Sequence, residues 1–210
     1  MKKFFKFKRS SFTAVGATLA LLITLPLLLG GGCATTTTPA PLVVKEHGGL
    51  RVGFDIDDTL LFSTPAFEQG FKSGAEPYSP EFWEIVNSSD RKYSKVKQKT
   101  KEIVIKHQKD GDTIFVITAR QPYGAEPLKD FIFDEFKIPK ENIFFESEGK
   151  KQKMEELKLD VFYGDSDSDV TLAIEAGAKP YRILRAPESS YKQKYNPGKF
   201  GEEIIENSEW

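Results

Sequence analysis

The sequence predicts an α/β domain with a mostly parallel sheet, helices on both faces and a small helical insertion. Short apolar segments alternate with helical patterns from residue 50 onward, which is typical of parallel strands joined by crossover helices. Polar or charged residues directly follow three of these apolar segments. Because ligands of parallel sheets bind at the carboxyl ends of the strands, we expect these residues to form one site.

Five segments are predicted to be strands, and residues 113–118 are the clearest because every side chain there is β-branched or aromatic. The other strands are predicted at residues 50–55, 142–145, 161–163 and 181–184. Asp55 ends the first strand, Thr118 ends the second along the chain, and Asp165 follows the fourth. Agreement among three separate strand ends is stronger than any single motif.

Helices are predicted at residues 93–109, 126–136, 150–157 and 169–176. Gly111 and Gly177 follow two of them, where helices commonly end. The segment 65–92 is rich in aromatic residues, Pro and Ser, and we expect it to be a short helical insertion that covers the crevice. The tail 200–210 mixes apolar with acidic residues and is expected to pack on the domain or on a neighbouring subunit.

Residues 1–32 are predicted to be an export signal, because a start rich in Lys and Arg precedes the apolar run 14–29. Three glycines then precede Cys33, which resembles a bacterial lipobox and predicts a lipid on Cys33. The pattern departs from a lipobox at Gly30, where Leu is usual. Two alternatives stay open: cleavage elsewhere to a soluble periplasmic form, and an uncleaved anchor that spans the bilayer.

Residues 33–47 are predicted to be a flexible tether, because they contain a run of Thr and Pro. The domain 48–210 is then extracytoplasmic, either periplasmic or on the cell surface. Ala34 lacks the acidic character that marks inner-membrane retention, which favours the outer membrane in a cell with two membranes. Cys33 is the sole cysteine, so a disulfide within the chain is excluded.

Charge is divided unevenly along the chain. Residues 1–32 carry five basic and no acidic residues, so the formal net charge of −1 corresponds to −6 for the remainder. Because nucleic-acid binding needs a basic face, this balance argues against a nucleic-acid partner. A small anionic substrate would have to be held by local groups, against the overall field.

The segment 53–60 contains three carboxylates within four positions, at the end of a predicted strand. Side chains alternate along a strand, so Asp55 and Asp57 would project to the same side. Two acids this close repel each other unless they share a proton or bind a divalent cation with oxygen ligands. The pattern predicts a catalytic metal site, and its structural alternative is an acidic turn or helix cap.

Three further features accompany this motif. Thr118-Ala119-Arg120 puts a hydroxyl and a cation at a strand end, and its structural alternative is a capped turn with a surface Arg. A lysine near the start of the predicted helix 150–157 is also compatible with an ordinary surface position. Acids at alternate positions 165, 167 and 169 are typical of a metal-ligand loop, and also of a turn that caps a helix.

These four features, in this order, resemble the haloacid dehalogenase-type phosphohydrolases and, within them, the class B bacterial acid phosphatases. The resemblance covers about residues 48–210 and implies a Rossmann-like fold and a homotetramer. The stretches that carry it lie at residues 52–59, 61–65, 82–84, 162–169, 182–192 and 200–209.

The resemblance implies a division of roles among the acids. Asp55 would be the nucleophile that forms an aspartyl-phosphate, and Asp57 would be the general acid and base. Mg²⁺ would be bound by the Asp55 side chain, the Asp57 main-chain carbonyl and Asp165. Asp169 would support these metal ligands.

The resemblance also implies groups that bind the phosphate. Thr118 and the amide of Ala119 would hydrogen-bond the phosphoryl oxygens, and Arg120 would bind phosphate or pair with an acid. The family usually has Gly where this chain has Ala119, and the added methyl group would narrow the approach of the phosphate.

A lysine would neutralise charge that builds in the transition state. Counting back from the acidic loop without a gap favours Lys150, and a shifted helix would select Lys153. Lys151 is the third choice, and the sequence leaves the three open.

Aromatic residues are the implied contacts for the rest of the substrate. Phe67, Trp83 and Tyr191 would form a slot for a nucleoside base or an aryl ester, or would be core residues of the insertion or of an interface. His47 and His107 have no evident partner in the sequence and are expected to be exposed or structural.

The prediction is therefore a membrane-tethered, Mg²⁺-dependent acid phosphatase. It would hydrolyse nucleotides, aryl phosphates and other phosphomonoesters, with transfer to an alcohol as a related reaction. A phospho-accepting switch is a second class, but the acid at position 57 argues against it because it hastens loss of the phosphate. A non-catalytic nucleotide-binding surface lipoprotein is a third class, and the intact set of acids argues against it.

Overall fold

The structure is a computed structural model and describes residues 48–210. Its centre is a six-stranded sheet in which every neighbouring pair is parallel. In spatial order the strands are β5 (Ile143–Phe145), β4 (Thr113–Thr118), β1 (Arg51–Phe54), β6 (Val161–Gly164), β7 (Lys179–Ile183) and β8 (Glu203–Ile205). The predicted export signal, the tether and His47 lie outside the described residues.

Helices cover both faces of this sheet, as the sequence predicts. The helices are α1 (Thr64–Lys72), α2 (Pro80–Tyr93), α3 (Gln98–Lys109), α4 (Glu126–Phe136), α5 (Lys150–Glu156) and α6 (Asp167–Glu175). Alternation along β4 shows the two layers: Val116 packs with residues of α3 and α4, whereas Ile117 packs with residues of α5 and α6. The predicted α/β fold with a mostly parallel sheet is therefore confirmed.

Helices α1 and α2 lie where the sequence predicts the insertion at 65–92. They are enclosed by a short antiparallel pair, β2 (Leu61–Phe62) and β3 (Lys95–Val96). The two helices pack around Phe82, and a Cβ on Gly70 would lie 2.7 Å from the Phe82 ring. Gly70 therefore allows the close approach of the two helices.

Helix α3 begins at Gln98, five residues later than predicted. Helix α2 extends to Tyr93, where the amide of Ser94 donates to the Asp90 carbonyl, and β3 occupies the next two residues. The pairing of β3 with β2 is a tertiary contact, so periodicity along this segment cannot reveal it.

The tail packs on its own domain, which is one of the two predicted alternatives. Residues 203–205 extend the sheet as β8, parallel to β7. The ring of Trp210 lies 5.2 Å from that of Phe62. The backbone carbonyl of Trp210 accepts a hydrogen bond from the Lys99 amide at 3.0 Å.

His107 is buried and structural, and it does have partners. Its Nδ1 lies 2.7 Å from Asp112 Oδ2, and its Nε2 lies 3.0 Å from the hydroxyl of Tyr163. These contacts join α3 to the residue that precedes β4 and to β6. Among residues 48–210, no helix is long and apolar enough to span a membrane.

Candidate active site

Three carboxylates converge at the carboxyl ends of the central strands. Asp55 follows β1, Asp165 follows β6, and Asp169 lies in the first turn of α6. One carboxylate oxygen from each lies within 4.8 Å of the others, and all three residues are buried. The amide of Asp55 donates to the Tyr163 carbonyl at 2.9 Å, which fixes its position beyond the last residue of β1.

The turn from β6 into α6 fixes the position of Asp169. A Cβ on Gly164 would lie 2.3 Å from Asp169 Cβ, so only glycine permits this close approach. Ser166 caps α6: its hydroxyl accepts a hydrogen bond from the Asp169 amide, and Asp169 Oδ2 accepts one from the Ser166 amide, both at 3.1 Å. The other oxygen, Oδ1, is left to face the cluster.

Lys150 is the lysine that enters the cluster. Its ammonium donates to Asp55 Oδ1 at 2.8 Å and to Asp169 Oδ1 at 2.6 Å, and it is buried at the first position of α5. Lys151 and Lys153, the two alternatives, instead pair with glutamates on the surface of α5. The ungapped spacing therefore identified the lysine that the structure places in the site.

Burial and mutual repulsion make the carboxylate cluster electrostatically unfavourable by itself. Burial raises the pKa of Asp55 well above its usual value, and Asp169 adds to this rise, while Lys150 opposes it. Burial and Asp169 likewise raise the pKa of Asp165 to about 7. For Asp169, burial opposes ionisation, but Lys150 and Ser166 outweigh it and lower the pKa.

This donor set fits a divalent hard cation. Lys150 pairs with two of the three buried carboxylates and the buried Arg185 pairs with the third, Asp165. Three negative charges therefore face two positive ones, and a further cation would relieve the remaining repulsion. Oxygen ligands alone are the coordination that Mg²⁺ and Ca²⁺ prefer.

Arg185 is a cluster residue that the sequence analysis did not identify. Its Nε donates to Asp165 Oδ2, and its Nη1 donates to the carbonyls of Tyr191 and Gln193 at 2.8 and 2.9 Å. It thus ties the loop after β7 to the cluster. Arg185 could have been identified from the sequence, because it lies in the stretch 182–192 that carries the family resemblance.

The side chain of Asp57 is not one of the three clustered carboxylates. Its Oδ1 accepts hydrogen bonds from Ser63 Oγ at 2.5 Å and from Arg120 Nη2 at 2.6 Å. The side chain is 31% exposed, whereas that of Asp55 is 8% exposed. Two neighbouring acids of one motif therefore have different surroundings, which suits different chemical tasks.

Arg120 is fully buried and connects Asp57 to the insertion. Its Nη1 donates to Asn87 Oδ1 at 3.0 Å and to Asp90 Oδ2 at 2.6 Å, and both residues belong to α2. The sequence analysis did not identify Asn87 or Asp90. Their segment was interpreted only as a helical insertion, and buried ion pairs between distant segments leave no local pattern.

Thr118 and Ala119 lie at the end of β4, as predicted. Thr118 is buried, and its hydroxyl accepts a hydrogen bond from the Arg120 amide at 3.2 Å. Ala119 is exposed at the same strand end. The structure thus places a hydroxyl and a backbone turn beside the first strand of the cluster, because β4 is the neighbour of β1.

The three predicted slot residues form two separate groups. Phe67 contacts Trp83 edge to face, with ring centroids 5.8 Å apart, and the guanidinium of Arg120 lies 5.2 Å from the Phe67 ring. Tyr191 is 48% exposed and lies over Arg185 instead, at 4.9 Å. Within residues 48–210, no ring contact joins Tyr191 to the other two.

Comparison with known proteins identifies the family. Residues 41–194 match the family model of the HAD superfamily, subfamily IIIB (acid phosphatase). The class B acid phosphatase of Klebsiella pneumoniae (strain 342) is 38% identical over 208 residues, which cover 88% of each chain. That of Enterobacter sp. (strain 638) is 39% identical over 174 residues, which cover 77% of this chain and 73% of the relative.

Solved structures share the fold. A predicted phosphoglycolate phosphatase from Haemophilus somnus 129pt superposes with a TM-score of 0.52 at 13% identity, over 79% of this chain and 97% of that one. Identity this low supports the architecture alone. With the family model and the relatives, the resemblance is confirmed: the chain belongs to subfamily IIIB of the HAD superfamily, the acid phosphatases.

Proposed function

We propose that this acid phosphatase is Mg²⁺-dependent and hydrolyses organic phosphomonoesters through an aspartyl-phosphate on Asp55. One observation carries the proposal: Asp55, Asp165, Asp169 and Lys150 meet in a buried cluster, while the side chain of Asp57 stays outside it. In this proposal Asp55, beside Lys150 in the cluster, is the nucleophile, and Asp57, outside the cluster, transfers protons.

Asp55 attacks phosphorus, and the bond to the ester oxygen breaks. Asp57 passes its proton to the leaving oxygen, which departs as an alcohol. In the second step Asp57 takes a proton from water as that water attacks the aspartyl-phosphate. Inorganic phosphate leaves, and Asp55 and Asp57 return to their starting states.

The remaining groups handle charge. Lys150 holds Asp55 by a hydrogen bond and offsets negative charge that builds on the phosphoryl oxygens. Thr118 and the amide of Ala119 supply hydrogen-bond donors at the adjacent strand end. Asp55, Asp165 and the Asp57 carbonyl would hold Mg²⁺, supported by Asp169, and the bound cation offsets repulsion between nucleophile and substrate.

Aromatic residues around the crevice support a broad substrate class. Phe67, which is half-buried, and Tyr191, which is exposed, offer rings to a nucleoside base or an aryl ester, whereas Trp83 is buried in the core of the insertion and supports Phe67. Since stacking tolerates many ring systems, we propose nucleotides and aryl phosphates as substrates. An alcohol in place of water in the second step would give phosphotransfer.

Asp55→Asn tests the mechanism. We expect phosphate release from an aryl phosphate and from a nucleoside monophosphate to fall by at least about a thousandfold, because the nucleophile is lost. The assay uses the full chain in detergent at mildly acidic pH, first with Mg²⁺ and then with a chelator, which should abolish release by the unmodified chain.

Asp167→Asn is the matched control for this test. Its carboxylate faces Asn196 and Arg182 instead of the cluster, so activity should persist. Robust turnover by a folded Asp55→Asn protein would reject the mechanism. No turnover by the unmodified chain would favour the alternative, a nucleotide-binding lipoprotein without catalysis. The methyl group of Ala119, where the family usually has Gly, would then be the feature that hinders the phosphate.

We further propose that Cys33 carries a lipid and holds a homotetrameric enzyme at an extracytoplasmic membrane surface. The pattern of residues 1–33 and the family resemblance support this. Cys33→Ser should move the protein from the membrane to the soluble fraction. Unchanged detergent partitioning would instead indicate an uncleaved anchor, and light scattering would measure the subunit number.

A further inference from the structure

Arg120 has no donor left for a phosphate. A guanidinium has five N–H groups, and here all are directed at protein acceptors. Nε and one Nη2 proton face Asp57, the second Nη2 proton faces Asp90 Oδ1 at 3.3 Å, and Nη1 serves Asn87 and Asp90. An incoming phosphoryl group would have to displace one of these partners.

The partners of Arg120 come from two parts of the molecule. Asp57 belongs to the catalytic motif and faces the crevice. Asp90 and Asn87 belong to α2, and the side chain of Asp90 is completely buried. One positive charge is therefore held between two carboxylates, one partly exposed and one completely buried.

The α2 side of this arrangement is itself firmly held. Asp90 Oδ1 accepts a hydrogen bond from Ser94 Oγ at 2.6 Å. The side-chain nitrogen of Asn87, Nδ2, donates to the backbone carbonyls of Gln121 and Tyr123 at 3.0 and 2.7 Å. Both carbonyls belong to the loop that follows Arg120. Helix α2 thus fixes both the guanidinium and the loop beside it.

From this geometry we infer that Asp90 and Asn87 are positioning residues for proton transfer, an inference that rests on the proposed function. Through Arg120 they hold the Asp57 carboxyl in the orientation from which it protonates the leaving oxygen. After that transfer the carboxylate left on Asp57 faces the guanidinium. Arg120 is then a support for the general acid, and the phosphate is left to Lys150, Thr118 and the cation.

Asp90→Asn distinguishes a role in proton transfer from a role in phosphate binding. The test compares the effect of this variant on two substrates with different leaving groups. The alkoxide of β-glycerophosphate needs a proton in order to leave, whereas the nitrophenolate of para-nitrophenyl phosphate does not. We expect kcat/KM to fall at least about tenfold for the alkyl ester and less than about threefold for the aryl ester. The assay uses the full chain with Mg²⁺.

Two further variants accompany it. Ser94→Ala removes only the hydroxyl that holds Asp90 and should give a smaller shift in the same direction, which decides the matter if Asp90→Asn does not fold. Arg91→Gln, the adjacent position, breaks an exposed ion pair with Asp134 on α4 and should leave the ratio of the two kcat/KM values unchanged.

Equal losses on both esters, or a rise in KM alone, would overturn the inference and restore Arg120 as a phosphate ligand. An unchanged ratio in a folded Asp90→Asn protein would overturn it as well. Failure of the unmodified chain to cleave either ester is a separate result, because it would reject the proposed function itself.

Discussion

Lys150 shows how one side chain can organise a site. Within residues 48–210 it is the one cation whose hydrogen bonds reach two of the clustered carboxylates. Burial lowers the pKa of its ammonium, but Asp169 and Asp55 outweigh burial, so the net shift is upward. The ammonium is therefore charged throughout the pH range in which the enzyme would act.

Lys150→Gln should lower kcat/KM by about a hundredfold or more, because a preorganised charge beside the phosphoryl group is lost. Lys153→Gln, one turn later on α5, is the matched control and should stay within about twofold, since an exposed ion pair contributes little. Steady-state kinetics on an aryl phosphate measure both. Equal losses would mean that α5 matters as a whole.

The sequence predicted the residues of the site unevenly. Asp55, Asp165 and Asp169 were accessible because parallel strands end at the same edge of a sheet. Lys150 was found only through a family resemblance, since a single lysine carries no pattern. Asp90 was not found because its partner is distant in sequence.

The β6–α6 turn is the element that most strongly constrains the cluster. Gly164 ends the strand, and the cap formed by Ser166 and Asp169 starts the helix within two residues. The same carboxylate serves as a cap with one oxygen and as a cluster member with the other. Local helix chemistry and site geometry are thus inseparable here.

If the cluster binds Mg²⁺ as proposed, Gly164→Ala should weaken that binding by about tenfold, because the new methyl group would displace Asp169. The same overpacking should lower the free energy of unfolding by about 1–3 kcal/mol. Titration calorimetry measures the affinity, and urea unfolding measures the stability.

Gly177→Ala separates the two effects. Nothing lies within 4 Å of a Cβ at Gly177, but its φ of +80° strains any other residue, at a cost of about 1 kcal/mol. This variant should lose stability and keep its affinity for Mg²⁺. Unchanged affinity in the Gly164→Ala protein would show that Asp169 does not depend on the turn.

Long elements were predictable and short ones were not. Strand β4 agrees with its predicted bounds because six β-branched or aromatic residues in a row indicate a buried strand. Strands β2, β3 and β8 have two or three residues each and were not predicted. Their pairing partners, not their own sequences, make them strands.

At the scale of the whole molecule, a buried ion pair attaches the tail. Arg182 on β7 donates to Glu202 Oε1 through Nε at 2.9 Å and Nη2 at 2.7 Å, and both side chains are fully buried. Burial opposes ionisation of Glu202, but hydrogen bonds from Arg182 and from the Phe200 and Gly198 amides lower its pKa below the usual 4.5.

Glu202→Gln should lower the free energy of unfolding by about 3 kcal/mol at neutral pH, because Arg182 loses its fully buried carboxylate partner and keeps only Asp167. The pKa of Glu202 is lower in the folded state than its usual 4.5, so its charge stabilises the fold fully above pH 4.5. That stabilisation is lost as the pH falls through the pKa of the folded state. The difference in stability between the two proteins should therefore be largest at neutral pH and should shrink at a pH well below 4.5. Urea unfolding at both pH values checks this, and a constant difference would contradict it.

The order of strands in the sheet has a consequence for how the chain folds. Strand β1 comes first in the described chain, yet it lies at the centre, where Arg51 pairs with Thr113 and Val52 pairs with Val161. Contacts between such distant segments form slowly because a long loop must close before any of them is gained. A nascent chain that ends before Val161 therefore lacks a partner along one whole side of β1. Asp55 gains its surroundings only when most of the domain has been synthesised.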